Sequence, residues 1–138
     1  MNKSMNIYIV IPVFNEEKYL QQSLDSIVKQ TFLPKKLLLV NDNSSDNSEN
    51  ILKKYCNKFS WIKYINIKSN QAHIPGEKVI RAFYKGLEKL DSNYDILCKF
   101  DSDIILPENY LESIINIFNI DPKVGIAGGN LYLSLIHI

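Results

Sequence analysis

The chain of 138 residues is 46% hydrophobic and 22% charged, a composition that fits one globular domain with a hydrophobic core. Sixteen basic and fifteen acidic side chains give a formal charge of +1, so the charge balance offers no basis for a nucleic-acid partner. Cys56 and Cys98 lie far apart and show neither zinc-ligand spacing nor a disulfide framework, which favours two free thiols in a reducing compartment.

The first predicted element is a strand over 7–14, IYIVIPVF, a β-branched run that ends at the polar sequence NEE. This run is far too short to cross a bilayer, and it lacks the basic flank and the small-residue cleavage site of a signal peptide. We therefore expect a cytoplasmic protein.

A helix over 16–30 follows, because apolar residues recur there at helical spacing and Asn15 with two glutamates suits a helix start. The next segment, 36–46, repeats the plan of the first strand, an apolar run and then a polar turn. These segments predict a strand, helix, strand unit whose two strands are buried and parallel.

The same alternation continues along the rest of the chain. It predicts a helix over 46–59, a strand over 61–67, a polar loop over 69–77, a helix over 78–90, a strand over 94–100 and a helix over 107–120. The last segment, 124–138, begins as a strand and ends in an apolar run, which favours a truncated or non-native end. Strands that alternate with helices indicate an α/β sheet with parallel strands and right-handed crossovers.

Three polar clusters fall at predicted carboxyl ends of strands, over 15–17, 41–46 and 101–103, where ligands of such sheets bind. Asp101 and Asp103 are alternate residues, which point the same way in an extended chain. Mg²⁺ and Mn²⁺ prefer oxygen ligands, and one or two carboxylates often suffice. The pair therefore predicts a divalent-cation site, against the alternative that one aspartate caps the next helix and the other is solvated.

Asp42 also has two interpretations. It follows a buried strand, where it or one of its polar neighbours can cap the next helix. The polar run is longer than one cap requires, however, and an aspartate there can accept hydrogen bonds from a nucleobase imide or a ribose hydroxyl.

Three segments, in this order, resemble glycosyltransferase family 2. They are IVIPVFNEEKYLQQSLDSIVKQT, LLLVNDNSSDNS and YDILCKFDSDIILPENYLESI, and the match runs from about Ile7 to Asn130. The resemblance implies the GT-A fold, an α/β, Rossmann-like sheet with flanking helices. It also implies that 1–138 form the N-terminal, nucleotide-sugar-binding portion of one domain, without the acceptor-binding portion.

The resemblance assigns roles to particular residues. The rim around the nucleoside is Pro12, Val13, Asn15 and Glu16. Asp42 would contact the base, and Ser102 would lie at the sugar nucleotide. Asp103 would be a direct ligand of Mn²⁺ or Mg²⁺ on the diphosphate, with Asp101 as a second metal ligand near the ribose or a metal-bound water.

The chain departs from the family pattern at three positions. Asn41 stands where the family usually has the first of two aspartates, and Asn43 replaces a frequent glycine and can adopt a left-handed turn. Arg81 is offset from the family's usual arginine, so a solvated helix face is at least as good an interpretation as a phosphate contact.

The resemblance implies an inverting, metal-dependent glycosyltransferase. It would transfer sugar from a nucleotide-diphosphate donor to a glycan, lipid-linked or other hydroxyl acceptor, in polysaccharide or glycoconjugate synthesis. Such enzymes often work at the cytoplasmic face of a membrane, which implies a peripheral membrane association. The catalytic base would lie beyond residue 138, so the chain alone would be inactive.

Three other classes stay open on the residues alone. A phospho-accepting receiver domain also binds Mg²⁺ at strand ends, but Lys99 precedes the aspartates instead of ending a later strand. A nucleotidyltransferase would open with a glycine-rich loop, where this chain has PVFNEE. The third is a noncatalytic α/β nucleotide-binding module.

Overall fold

A computed structural model describes residues 5–69 and 75–121, in which parallel strands form one sheet with the order β3-β2-β1-β4. The strands are β1 (Ile7–Val13), β2 (Lys36–Asp42), β3 (Ile62–Ile67) and β4 (Ile96–Lys99). The helices are α1 (Leu20–Val28), α2 (Ser48–Lys58), α3 (Pro75–Leu87) and α4 (Tyr110–Ile120). In these two stretches every helix is too short or too polar to be a membrane span.

The central strands β1 and β2 are buried along almost their whole length because helices cover both faces of the sheet. Alternate residues of β1, such as Ile9 and Ile11, belong to a large core with α1, α2 and α4. Val10, from the same strand, belongs to a smaller core on the other face with Leu38 and Val40 of β2 and Ala82 of α3. Helix α3 therefore lies alone on its face among the described helices.

Gly86 brings α3 close to the sheet. A Cβ at this position would lie 2.6 Å from Cγ2 of Val40 and 2.9 Å from Cγ1 of Val10, which is inside van der Waals contact. The absent side chain thus sets the depth at which α3 packs on β1 and β2, and with it the height of the α3 residues above the strand ends.

The predicted alternation of strands and helices is confirmed, but helix boundaries differ. Helix α1 begins at Leu20 because residues 16–19 form a turn in which the Glu16 carbonyl accepts the N–H groups of Tyr19 and Leu20. Helix α3 begins at Pro75, so the predicted loop over 69–77 is wrong at its end, and proline is well suited to a first helical turn. The predicted strand from 124 lies outside the described residues.

Candidate functional site

A cavity of about 400 Å³ opens at the carboxyl ends of β2, β1 and β4, under α3. All but one of the predicted site residues line it: Pro12, Val13, Glu16, Asp42, Asp101, Ser102 and Asp103. Four further lining residues were not predicted from the sequence: Phe14, Lys78, Val79 and Ala82. The structure therefore brings together side chains that are separated by up to 91 positions along the chain.

Asn15 is the predicted site residue that does not line the cavity. Its side-chain carbonyl accepts the N–H groups of Ser45 at 2.7 Å and Asp46 at 3.3 Å, and its own N–H donates to Oγ of Ser44 at 3.0 Å. A further hydrogen bond joins the same two loops, because the Asp46 carboxylate accepts the N–H of Glu17 at 3.1 Å. Asn15, with φ 48°, thus ties the loop after β1 to the loop after β2.

Asp42 ends β2 and is only 2% exposed. Its two carboxylate oxygens each accept a hydrogen bond from Ser69, Oδ1 from the backbone N–H at 2.9 Å and Oδ2 from the hydroxyl at 2.7 Å. Nζ of Lys78 lies 4.0 Å from Oδ2. Asp42 does not cap α2, so its two fixed oxygens present their remaining acceptor capacity at the cavity.

Glu16 and Ser102 connect the loops after β1 and β4. The Ser102 hydroxyl, in a residue that is 6% exposed, donates to Oε1 of Glu16 at 3.0 Å. Partial burial raises the pKa of Glu16 above its ordinary value. The carboxylates of Asp103, Asp46 and Asp101 also raise this pKa, whereas the hydrogen bond from Ser102 lowers it. The cavity therefore concentrates negative charge near this pair.

Asp101 and Asp103 are both exposed, and they alternate with the buried Ser102 and Ile104. The segment is not the extended one expected from the sequence, because β4 ends at Lys99 and Ser102 and Asp103 form a turn. Asp101 has a nearby cation in Lys99, whose Nζ lies 3.7 Å from Oδ1 in an exposed pair of small energetic weight. Within residues 5–69 and 75–121, no group of three or more His, Cys, Asp or Glu side chains is placed to hold a metal ion. Two carboxylates nevertheless fit a hard cation whose other ligands are phosphate oxygens and water.

Lys78 and Phe14 form the part of the site that sequence reasoning missed. Nζ of Lys78 lies 3.2 Å from the centre of the Phe14 ring, a cation–π contact, and the ring itself is 49% exposed. Lys78 and Ala82 lie four residues apart and share one helix face, but this spacing alone does not indicate that the face meets the strand ends. Arg81 points elsewhere, since its guanidinium pairs with Glu77.

Comparisons with known proteins give the family of this chain. The model of glycosyl transferase family 2 matches residues 8–133. Glycosyltransferase GlyA of Streptococcus pneumoniae is 31% identical over 126 residues, which are 91% of this chain and 17% of GlyA.

Two solved structures are similar in fold. Fragment 1-349 of S. aureus TarS in complex with UDP has a TM-score of 0.70 and 23% identity, over 92% of this chain and 39% of that one. The mannosyltransferase PcManGT from Pyrobaculum calidifontis, with GDP-Man and Mn²⁺, has a TM-score of 0.68 and 17% identity, over 89% of this chain and 34% of that one. The chain thus spans less than half the length of GlyA and of both solved chains. The family and the fold inferred from the three sequence segments are confirmed, and the chain belongs to glycosyl transferase family 2 with a GT-A fold.

Proposed function

We propose that the cavity binds a nucleotide-diphosphate sugar and that the chain carries the donor-binding part of a glycosyltransferase. The observation that supports this most is the arrangement of carboxylates along the cavity. Asp42 ends β2, whereas Asp101 and Asp103 follow β4, with β1 between the two strands. Neighbouring strands are about 4.8 Å apart, so the two ends of the site are separated by roughly 10 Å, room for a nucleoside and its phosphates.

Each end of the cavity has its own task in this proposal. Asp42 accepts an N–H of the nucleobase, and its bonds from Ser69 hold the carboxylate in place. Pro12, Val13 and Glu16 form the rim of the nucleoside site, and Asn15 acts from outside by fixing the loop.

At the other end, Asp103 and Asp101 hold Mn²⁺ or Mg²⁺, and Ser102 lies beside the sugar nucleotide while it fixes Glu16. A bound cation supplies Lewis-acid stabilisation of the charge that the leaving diphosphate gathers. That PcManGT was solved with GDP-Man and Mn²⁺, and TarS with UDP, supports both ligand classes for this fold.

The proposed reaction is transfer of the sugar to a glycan, lipid-linked or other hydroxyl acceptor with inversion at the anomeric carbon. It requires a base that takes the acceptor's proton, and we place this base, with the acceptor site, in sequence beyond residue 138. Residues 1–138 are then the N-terminal portion of the domain, a proposal supported by their 39% and 34% coverage of the two solved chains. We place the reaction in the cytoplasm at the inner face of a membrane, on the family resemblance.

Calorimetric titration tests the proposal. The chain is titrated with UDP and with GDP, each with and without Mn²⁺, and Asp103→Asn is compared with the exposed Glu112→Gln on α4 as a charge control. We expect Mn²⁺-dependent binding of one nucleotide that Asp103→Asn abolishes and Glu112→Gln preserves. If neither UDP nor GDP bound, with or without Mn²⁺, the proposal would be refuted. If Asp103→Asn bound the nucleotide as tightly as the unaltered chain, only the assignment of Asp103 to the metal would be refuted.

A further inference from the structure

We propose that Lys78 is a specificity-determining residue of the donor site. Its ammonium group donates a hydrogen bond to a carbonyl oxygen of the nucleobase, beside the N–H that Asp42 accepts. The inference rests on the proposed function and adds to it the class of base, one that carries an N–H next to a carbonyl, such as uracil or guanine.

The charges of the cavity single out Lys78. Four carboxylates line it, those of Glu16, Asp42, Asp101 and Asp103. Lys78 is the one cationic side chain among the lining residues in the described parts of the chain. A donor with a negatively charged diphosphate therefore meets one fixed positive group in this cavity, and the position of that group matters.

The position of Lys78 places it at the base end. Its Nζ lies 4.0 Å from Oδ2 of Asp42 and 3.2 Å above the ring of Phe14. Asp101 and Asp103 follow β4, two strands away from β2, which corresponds to roughly 10 Å. An ammonium held between Asp42 and Phe14 thus lies over the ends of β2 and β1, next to the group that contacts the base, whereas the carboxylates assigned to the diphosphate-bound cation follow β4 on the other side of β1.

The chemistry of the pair fits an imide edge. An ionised carboxylate only accepts hydrogen bonds, and an ammonium only donates them. Uracil offers N3–H beside O4, and guanine offers N1–H beside O6, so an acceptor and a donor side by side match both edges. Ser69 fixes the carboxylate through two hydrogen bonds, and the Phe14 ring holds the ammonium next to it. Helix α3 thus supplies a base contact across the cavity from the strand ends.

The test separates contact with the base from contact with the phosphates. Binding of UDP, of GDP and of ribose 5-diphosphate, which lacks a base, is measured with Mn²⁺ present, the last by displacement of the bound nucleotide. The variants are Lys78→Met, Lys78→Arg and Lys85→Met, the last a control on the same helix that lines a different cavity.

We expect Lys78→Met to weaken binding of the preferred nucleotide by about 10-fold to 100-fold, the usual effect of losing a charged hydrogen bond. Ribose 5-diphosphate should bind both proteins equally, Lys78→Arg should retain more affinity than Lys78→Met, and Lys85→Met should bind like the unaltered chain. Equal loss for ribose 5-diphosphate would place Lys78 at the phosphates, and no loss at all would remove it from the site; either result overturns the inference and leaves the proposed function standing. Failure of the unaltered chain to bind UDP and GDP would overturn both.

Discussion

The hydroxyl of Ser102 donates a 3.0 Å hydrogen bond to Oε1 of Glu16, and this contact joins the loops that follow β1 and β4. Ser102 lies between the two aspartates assigned to the cation, and Glu16 begins the turn that leads to α1. The hydrogen bond thus connects two residues that line the cavity from different strand ends.

Ser102→Ala removes that link without adding bulk. Since Ser102 is buried and its partner is partly buried, we expect the free energy of unfolding to fall by about 1 kcal/mol. Urea unfolding followed by tryptophan fluorescence from Trp61 measures the change. Ser113→Ala on the exposed side of α4 is the control, and it should lower the free energy of unfolding much less than Ser102→Ala does. Equal losses in the two variants would contradict the prediction.

Asn15→Ala and Asn15→Gly separate two contributions of one residue. Both variants lose the side-chain acceptor for Ser45 and Asp46, which costs about 1 kcal/mol. Alanine must also adopt the left-handed backbone, with φ 48°, so Asn15→Ala should be less stable than Asn15→Gly by roughly 1 kcal/mol. Thermal and urea unfolding of both variants check the order, and a glycine variant less stable than the alanine variant would show that this backbone conformation is not strained.

Substitution of two glycines of α3 by alanine should change the free energy of unfolding in opposite directions. Gly86→Ala forces a methyl group against Val40 and Val10, and we expect a loss of about 1–3 kcal/mol. Gly76→Ala meets no atom within 4 Å, so it should stabilise the chain by about 0.4–1 kcal/mol through the unfolded state. Urea unfolding of the two variants and of the unaltered chain measures both changes in the free energy of unfolding. A Gly86→Ala variant as stable as the unaltered chain would show that a methyl group fits against Val40 and Val10, and destabilisation by Gly76→Ala would contradict the expected gain.

The loss of folding stability at acidic pH should depend on Asp91. Hydrogen bonds from Lys36 at 2.6 Å, from the Tyr8 hydroxyl at 2.5 Å and from the N–H of Asn93 at 2.9 Å hold the pKa of Asp91 well below its ordinary value, with Lys36 the largest cause. A depressed folded pKa stabilises the fold above the unfolded pKa of about 4, and this stabilisation is lost as the pH falls below that value.

The measurement is the difference in unfolding free energy between the unaltered chain and Asp91→Asn as a function of pH. We expect this difference to stay constant from about pH 5 to 8 and to shrink below about pH 4. In a Lys36→Met background the pH-dependent part should become smaller, whereas in the background of the exposed neighbour Lys35→Met it should stay unchanged. A difference that grows on acidification would have the wrong sign for a depressed pKa.

The sequence was enough to predict β1 and β2 because both faces of these strands are buried, so their apolar runs leave little choice of structure. The polar clusters over 15–17, 41–46 and 101–103 were informative for a related reason: a parallel sheet brings its carboxyl ends together, whatever lies between them in the chain. The sequence thus predicts that Asp42 and Asp103 share one site.

The role of Asn15 and the position of Lys78 were not predictable in the same way. Asn15 looked like a helix start, but its acceptor is used by Ser45 and Asp46, which come close only after β1 and β2 have paired. Lys78 contacts Phe14 because α3 packs on β1, which is far away in the chain. Both features depend on contacts between distant segments, which periodicity and spacing do not report.

Strand β1 lies in the interior of the sheet, between β2 and β4. Its first residues and the loop after its last residue have different roles. Ile7, Ile9, Val10 and Ile11 belong to the two cores, whereas the loop that begins after Val13 carries Phe14 and Glu16 into the cavity. A library that varies Phe14, Lys78 and Val79 would therefore change the lining of the cavity while the side chains of β1 in the two cores stay the same. The same separation gives an engineer a sheet whose ligand site can be altered without changing its core.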